Sequence, residues 1–248
     1  MTHIMRLAKY LALTGCCSRR AATRLIRDGL VRINDRLATH VDTVSLIHTE
    51  AGLQCTDKIY VNGELVSEIE AKAYWLFHKA VGTDSRLLAD LSCSLLHLLP
   101  ASPRLYPIGR LDKDSRGLLI LTNDGELTHK LMHPDFGHAK TYHVQVDRPF
   151  DDAFLANMAA GVSYKDVTTL PCVMSRLDAD KYEITLTQGL NRQIRRMSQA
   201  LGFKVIDLKR VSIQSLQLGD LPEGCMRPLT SVELTELLAS VACTEADA

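Results

Sequence analysis

The residues best suited to chemistry are concentrated in one run, Tyr106-Pro-Ile-Gly-Arg-Leu-Asp-Lys-Asp-Ser-Arg-Gly-Leu-Leu-Ile-Leu-Thr-Asn-Asp-Gly125. An apolar strand there feeds a loop carrying Arg110, Asp112 and Asp114, and the chain then returns to a buried strand. A loop held between two core strands positions a carboxylate firmly. In an extended loop Asp112 and Asp114 fall on one side, which suits the paired acid and base roles of a glycosidase; a solvated Asp-Lys-Asp turn is the plainer reading of the same spacing. Glu126, His129 and His133 stand at i, i+3 and i+7, which puts two imidazoles on one helical face, but His-Glu-x-x-His is absent and no metal is expected. The glycines form neither a Walker loop nor a dinucleotide fingerprint.

The elements that must position these residues fall into two groups. Leu7, Tyr10 and Leu11 recur at helical spacing, and a second helix starts at Ser18, whose hydroxyl can cap the free N–H groups of the residues after it. Ala22, Leu25 and Ile26 give that helix its apolar stripe, Arg20, Arg24 and Arg27 its other side, and Gly29 its end. Leu30–Ile33 reads as a strand, and Lys58–Val61, Asn62-Gly63 and Glu64–Val66 read as a hairpin on a type I′ turn. After a polar linker at 67–73 come strands at Tyr74–Phe77, Gly117–Thr122, Thr141–Val146 and Lys181–Thr187, mixed with helices near Asp152–Ala160, Arg192–Leu201 and Ser231–Val241. Strand and helix do not alternate regularly, so the expectation is α+β with a mixed, largely antiparallel sheet and flanking helices. The expected boundaries are 4–67 for a small first domain and 72–243 for a larger second one.

Composition narrows the function classes. With 248 residues, 46% apolar and 23% charged, the chain is an ordinary globular sequence rather than a disordered, collagenous or coiled-coil one. Lysine plus arginine equals aspartate plus glutamate at 29 each, yet the neutrality conceals asymmetry. Arg6, Lys9, Arg19, Arg20, Arg24, Arg27, Arg32 and Arg36 face only Asp28 and Asp35 in the first segment, while the carboxyl end is acidic. A second basic cluster, Arg192, Arg195, Arg196, Lys204, Lys209 and Arg210, has only Asp207 opposing it. Two basic surfaces suit a long anionic ligand. Seven cysteines without a C-x-x-C pair fit a reducing cytosol better than a disulfide framework, and neither a signal peptide nor an uncharged apolar stretch of about 18 residues is present. A soluble, cytoplasmic monomer is expected.

The run from Gly109 to Gly125 closely resembles the catalytic signature of the RsuA-like family of RNA pseudouridine synthases. Lys140-Thr-Tyr142-His-Val is similar to that family's tyrosine motif, and Gln188-Gly-Leu-Asn-Arg-Gln-Ile-Arg195-Arg-Met197 to its arginine motif, in the family's order. Arg6-Leu-Ala-Lys-Tyr-Leu through Val31-Arg-Ile-Asn34, with Val61-Asn-Gly63, resembles the S4 RNA-binding module that precedes the catalytic domain. The arginine block leans toward the RluF branch, which modifies large-subunit ribosomal RNA.

The resemblance implies isomerisation of uridine to pseudouridine in RNA without metal or organic cofactor. Asp112 matches the essential aspartate, acting either on C1′ as a nucleophile or on the C2′ proton, and both roles need it ionised. Arg195 is the expected guanidinium partner of Asp112, and Tyr142 the ring that stacks on the extruded base. Read on a helix, Arg192 and Arg195 lie on neighbouring faces, and Arg196 shares a side with Arg192. RNA contacts are expected from Arg110, Lys79, Arg192 and Arg196, and from Arg6, Lys9, Arg19, Arg20, Arg24 and Arg27 of the first domain. The expected partner is 23S ribosomal RNA, with transfer RNA as an alternative.

The sequence also departs from the family pattern. His78-Lys-Ala-Val-Gly82 stands where the family has Asn-Lys-Pro-x-Gly, and loss of the proline loosens that turn. The segment from Leu37 to Thr56 is longer and more apolar than an S4 module requires. These departures keep a second reading open, a catalytically inactive RNA-binding assembly or regulatory protein. A third is a carboxylate-pair hydrolase using Asp112 and Asp114 on a nucleoside or sugar.

Overall fold

The computed structural model describes residues 2–246 except 51, 67 and 134–136. The chain divides into two compact units, Met1–Ala73 with Pro100–Leu105, and Tyr74–Leu99 with Tyr106–Ala248.

In the first unit, helix α1 (Leu7–Leu13) buries Leu7, Tyr10 and Leu11, the positions that its spacing selects. Helix α2 (Arg19–Arg27) starts where the Ser18 hydroxyl accepts a hydrogen bond from the Ala21 N–H, and it buries Ala22 and Ile26. These side chains share a core with Val31, Ile33, Ile59 and Val61 from a four-stranded antiparallel sheet. Asn62 and Gly63 both have positive φ, 53° and 85°, as a type I′ turn requires. The long segment after Leu37 is a hairpin, Thr43–Thr49 with Gly52–Cys55, which pairs with an initial strand, Thr2–Arg6, in a separate three-stranded sheet. The residues read as a linker are fastened to this unit. Glu70 donates its N–H to the Leu13 carbonyl at 2.9 Å, and its carboxylate accepts the Arg104 N–H at 3.0 and 3.1 Å.

The second unit is built on a sheet with nine strands among the described residues. Its main path runs Val173–Asp178, Lys181–Leu186, Lys140–Val146, Val205–Ile213, Arg116–Thr122, Tyr74–Lys79, Met226–Pro228. Every pair along it is antiparallel except Arg116–Thr122 with Val205–Ile213, so the sheet is mixed and largely antiparallel. Helix α3 (Gly125–Met132) follows the central strand and is capped by Asp124, whose carboxylate accepts from the Glu126 and Leu127 N–H groups. Helices α4 (Asp152–Ala160), α5 (Gln193–Ala200) and α6 (Ser231–Ala246) complete the unit. Thr230 and Glu233 form a reciprocal capping box at the start of α6. Two apolar cores lie in this unit. One gathers Val144, Phe154, Tyr182, Ile184 and Met197; the other gathers Leu76, Leu118, Ile120, Leu127 and Leu237.

Candidate active site

The central strand Arg116–Thr122 owes its position to Gly117. A Cβ there would stand 2.2 Å from the Arg210 carbonyl oxygen and 2.5 Å from its nitrogen, at a φ of +115°. Only glycine permits this close approach of the two parallel strands. Arg116 ties the same pair together, donating to Asp207 at 2.9 and 2.7 Å and also to Glu223. The Arg116 guanidinium holds the Asp207 carboxyl below its usual range.

The loop before this strand carries Asp112, and its main chain is fastened from several sides. The buried Ser85 hydroxyl donates to the Leu111 carbonyl at 2.8 Å and accepts its N–H at 3.2 Å. The Gly82 N–H donates to the Lys113 carbonyl at 2.8 Å, so the turn that lacks its proline is stitched to the loop carrying Asp112. The Ser115 N–H closes a turn onto the Asp112 carbonyl at 3.0 Å, and the Asp-Lys-Asp stretch is therefore not extended. Paired carboxylate roles fail for a second reason, since Arg192 engages both oxygens of Asp114, at 3.0 and 2.8 Å. That contact holds the Asp114 carboxyl below its usual range.

Lys79 occupies a different place from the one expected. It is fully buried, and its ammonium donates to the carbonyls of Ser115 at 2.6 Å and Ala80 at 3.0 Å. Burial pulls it down to about 8, against the pull of Asp114 and Asp112. An ammonium enclosed behind the loop cannot touch RNA; it braces the loop instead.

Arg195 is also placed otherwise. Its guanidinium donates to the Asp114 carbonyl at 2.7 Å, the Ser115 hydroxyl at 3.3 Å and the Val205 carbonyl at 3.1 Å, and its nearest carboxylate is that of Asp114 at 3.4 Å. With its fork committed to main-chain oxygens, Arg195 leaves Asp112 to Arg192, whose Nη1 is 3.5 Å from Asp112 Oδ2. Arg192 is not inside the helix but caps α5 in the left-handed conformation at φ 52°, so helical-face geometry does not describe it. Nor does the second basic cluster form one surface: Arg192 and Lys204 are exposed, Arg195, Arg196 and Lys209 are half-buried, and one member is enclosed. Arg210 is buried and donates to the Leu118 carbonyl at 2.7 Å, because strand Val205–Ile213 runs through the middle of the sheet.

Tyr142 reaches the site from strand Lys140–Val146. Opposite it, a register shift between Thr141 and Tyr142 places an extra residue in the neighbouring strand, a bulge of the kind that re-aims side chains beside active sites. Asp112, Tyr142, Arg110, Arg192, Gln188 and Gln193 line one open cleft. Arg110 is exposed there, while Arg196 is not among the lining residues and donates to Asn191. In the first unit Arg19, Arg20, Arg24 and Arg27 are exposed along α2, Arg27 beside Asp28 at 3.2 Å. Arg6 is exposed and donates to the Val41 carbonyl; Lys9 is half-buried. Ser85, Gly82 and the Asp114–Arg192 pair are contributors that the sequence reading missed. Only the charge of Asp114 offered a signal.

The chain agrees with known proteins over nearly its whole length. A family model described as RNA pseudouridylate synthase matches residues 52–200, and an S4 domain model matches residues 5–43. The dual-specificity RNA pseudouridine synthase RluF of Escherichia coli O157:H7 is 38% identical over 98% of this chain and 82% of its own length. The ribosomal large subunit pseudouridine synthase B of Bacillus subtilis (strain 168) is 37% identical over 94% of this chain and 96% of its own. A solved structure described as a crystal structure of pseudouridylate synthase superposes with a TM-score of 0.66 at 30% identity, covering 94% of this chain and 99% of that one. The chain therefore belongs to the RsuA-like family of RNA pseudouridine synthases, with an S4 domain ahead of the catalytic domain.

Proposed function

We propose that this enzyme isomerises a specific uridine of 23S ribosomal RNA and that Asp112 is the essential carboxylate. The observation that carries the reading is that Asp112 and Tyr142 face one cleft from different elements, with a guanidinium 3.5 Å from the carboxylate. Both candidate steps, attack on C1′ and removal of the C2′ proton, need an ionised carboxylate with an available lone pair. Arg192 supplies the neighbouring charge. Tyr142 offers a ring to an extruded uracil, replacing stacking worth about 1–3 kcal/mol. Arg110 lies at the mouth of the same cleft, where a phosphate of the turned-out nucleotide would pass. The exposed arginines of α2 supply a second contact with the same RNA.

The large ribosomal subunit is favoured by the name of the Bacillus subtilis relative, and transfer RNA is the second candidate in view of the dual specificity named for the RluF relatives. Six free thiols among the described residues suit a reducing cytoplasm. The test is a pseudouridine map of cellular RNA with and without the protein, repeated with Asp112→Asn. One 23S site should vanish with the protein and fail to return with the variant, while RNA binding persists. Binding without pseudouridine on any cellular RNA would overturn the reading in favour of an assembly or regulatory role.

A further inference from the structure

Asp114 has no part in the reaction as described, yet it is the best-connected carboxylate of the loop. Arg192 Nη1 donates to its Oδ1 at 3.0 Å and Nη2 to its Oδ2 at 2.8 Å. Arg195 approaches Oδ2 at 3.4 Å and holds the carbonyl of the same residue at 2.7 Å. Arg192 is also 3.5 Å from Asp112, close enough for charge attraction but too long for a good hydrogen bond. A guanidinium fork matches one carboxylate at a time in the bidentate geometry. Here it has chosen Asp114.

That choice resolves a conflict in the chemistry. A carboxylate that attacks carbon or takes a proton needs a cation nearby to remain ionised in a cleft closed by RNA. If the same cation grips both oxygens, the lone pairs that must react are occupied. We propose that Asp114 is a positioning residue for the isomerisation: it occupies the hydrogen-bonding fork of Arg192, leaving Asp112 with a cation beside it and its own oxygens unbound. The proposal rests on Asp112 being the reacting group.

The charged and titratable groups around Asp112 fix the expected direction. Arg192 faces it from the start of α5, Asp114 and Lys113 flank it in its own loop, and Lys79 lies behind. Arg110 and Tyr142 share its cleft. Neutralising Asp114 removes a like charge and releases the Arg192 fork toward Asp112. The released fork ties up the Asp112 oxygens.

The experiment measures single-turnover pseudouridine formation, RNA affinity and melting temperature for Asp114→Asn, Asp114→Ala and Asp114→Glu. In the Asn and Ala variants the plateau rate should fall about ten- to a hundredfold, the worth of a hydrogen bond to a charged group. RNA affinity should be unchanged or tighter, so that the loss falls on the rate of the bound complex. Asp114→Glu should recover most of the rate. A rate within about twofold of wild type in the Asn and Ala variants overturns the proposal, as does an Asp114→Glu variant as slow as they are, or a rate loss that only follows a lower melting temperature. A wild-type protein that forms no pseudouridine in this assay would instead refute the role of Asp112 on which the proposal stands.

Discussion

Lys79→Met separates two roles that a lysine beside an RNA-modifying site can play. Met keeps the length and apolar volume of the side chain but removes its charge and its hydrogen bonds to the Ser115 and Ala80 carbonyls. Burying the charge opposes folding, since the ammonium falls from an ordinary 10.5 to about 8. At 1.36 kcal/mol per unit that gap is worth about 3 kcal/mol, an upper value that relaxation of the surrounding groups reduces to about 1–2 kcal/mol. Against this gain, Met leaves the Ser115 carbonyl without its ammonium, which costs about 1–3 kcal/mol. The two effects offset, and stability should stay within about 1–2 kcal/mol of wild type in a denaturant titration.

The reaction should suffer more than the fold, because the lost contact fixes the segment that carries Asp112. An anchor worth about 1.5–3 kcal/mol, lost from the reactive geometry, predicts a rate reduced about ten- to a hundredfold. RNA affinity and its dependence on salt should not change, since an enclosed ammonium neutralises no phosphate. The pH dependence of stability gives a separate check. Lys79 loses its proton near pH 8 when folded and near 10.5 when unfolded, so between these values the unfolded chain binds more protons and stability rises with pH. That rise should be smaller in the variant, where Lys140, also lowered to about 8 by burial, remains. A rate within about twofold of wild type, or a rate loss accompanied by weaker and less salt-sensitive RNA binding, would refute the buried-brace reasoning.

Two further substitutions test the frame and the RNA surface. Gly117→Ala should destabilise by about 3 kcal/mol or more, because the new Cβ meets the Arg210 backbone at 2.2–2.9 Å and φ is +115°; a denaturant midpoint close to wild type would contradict the tight parallel pairing. Arg24→Gln, on the exposed side of α2, should leave the melting temperature alone and make log affinity against log salt shallower by about 0.7–0.9, the value for one phosphate contact. An unchanged slope would remove Arg24 from the interface.

Local signals were readable where one residue type has one physical use. Ser18 announced a cap, Asn62-Gly63 a type I′ turn, and the alternation of Lys181–Leu186 a strand with one buried face. Charge misled where burial was satisfied by main-chain oxygens. Asp207, Lys209 and Arg210 disguise the strand Val205–Ile213, which lies inside the sheet because Leu118 accepts the buried Arg210 and Asp207 is paired with Arg116. Pro100–Leu105 joins the first unit through contacts such as Arg104 with Glu70, a relation between distant segments that no local pattern encodes. In the candidate site, the family resemblance pointed to Asp112, Tyr142 and the arginine block, but partner choice depended on three dimensions. The left-handed cap at Arg192 carries that guanidinium to the carboxylates, while Arg195 turns to the main chain.

This division gives the loop two different mechanical properties. Its main chain is bound by Ser85 at Leu111, by Gly82 at Lys113, by Arg195 at Asp114 and by Lys79 at Ser115. Those partners come from separate segments, so displacing the backbone would break several hydrogen bonds together. The Asp112 side chain stays 34% exposed and, among the described residues, has only the long contact with Arg192. A reacting group benefits from this arrangement, because positional precision comes from the backbone while the carboxylate keeps the freedom to form a bond or receive a proton. It follows that loss of activity on removing Arg195 would not require Arg195 to touch the substrate. The same loss arises if the carbonyl of Asp114 is released and Asp112 moves with it.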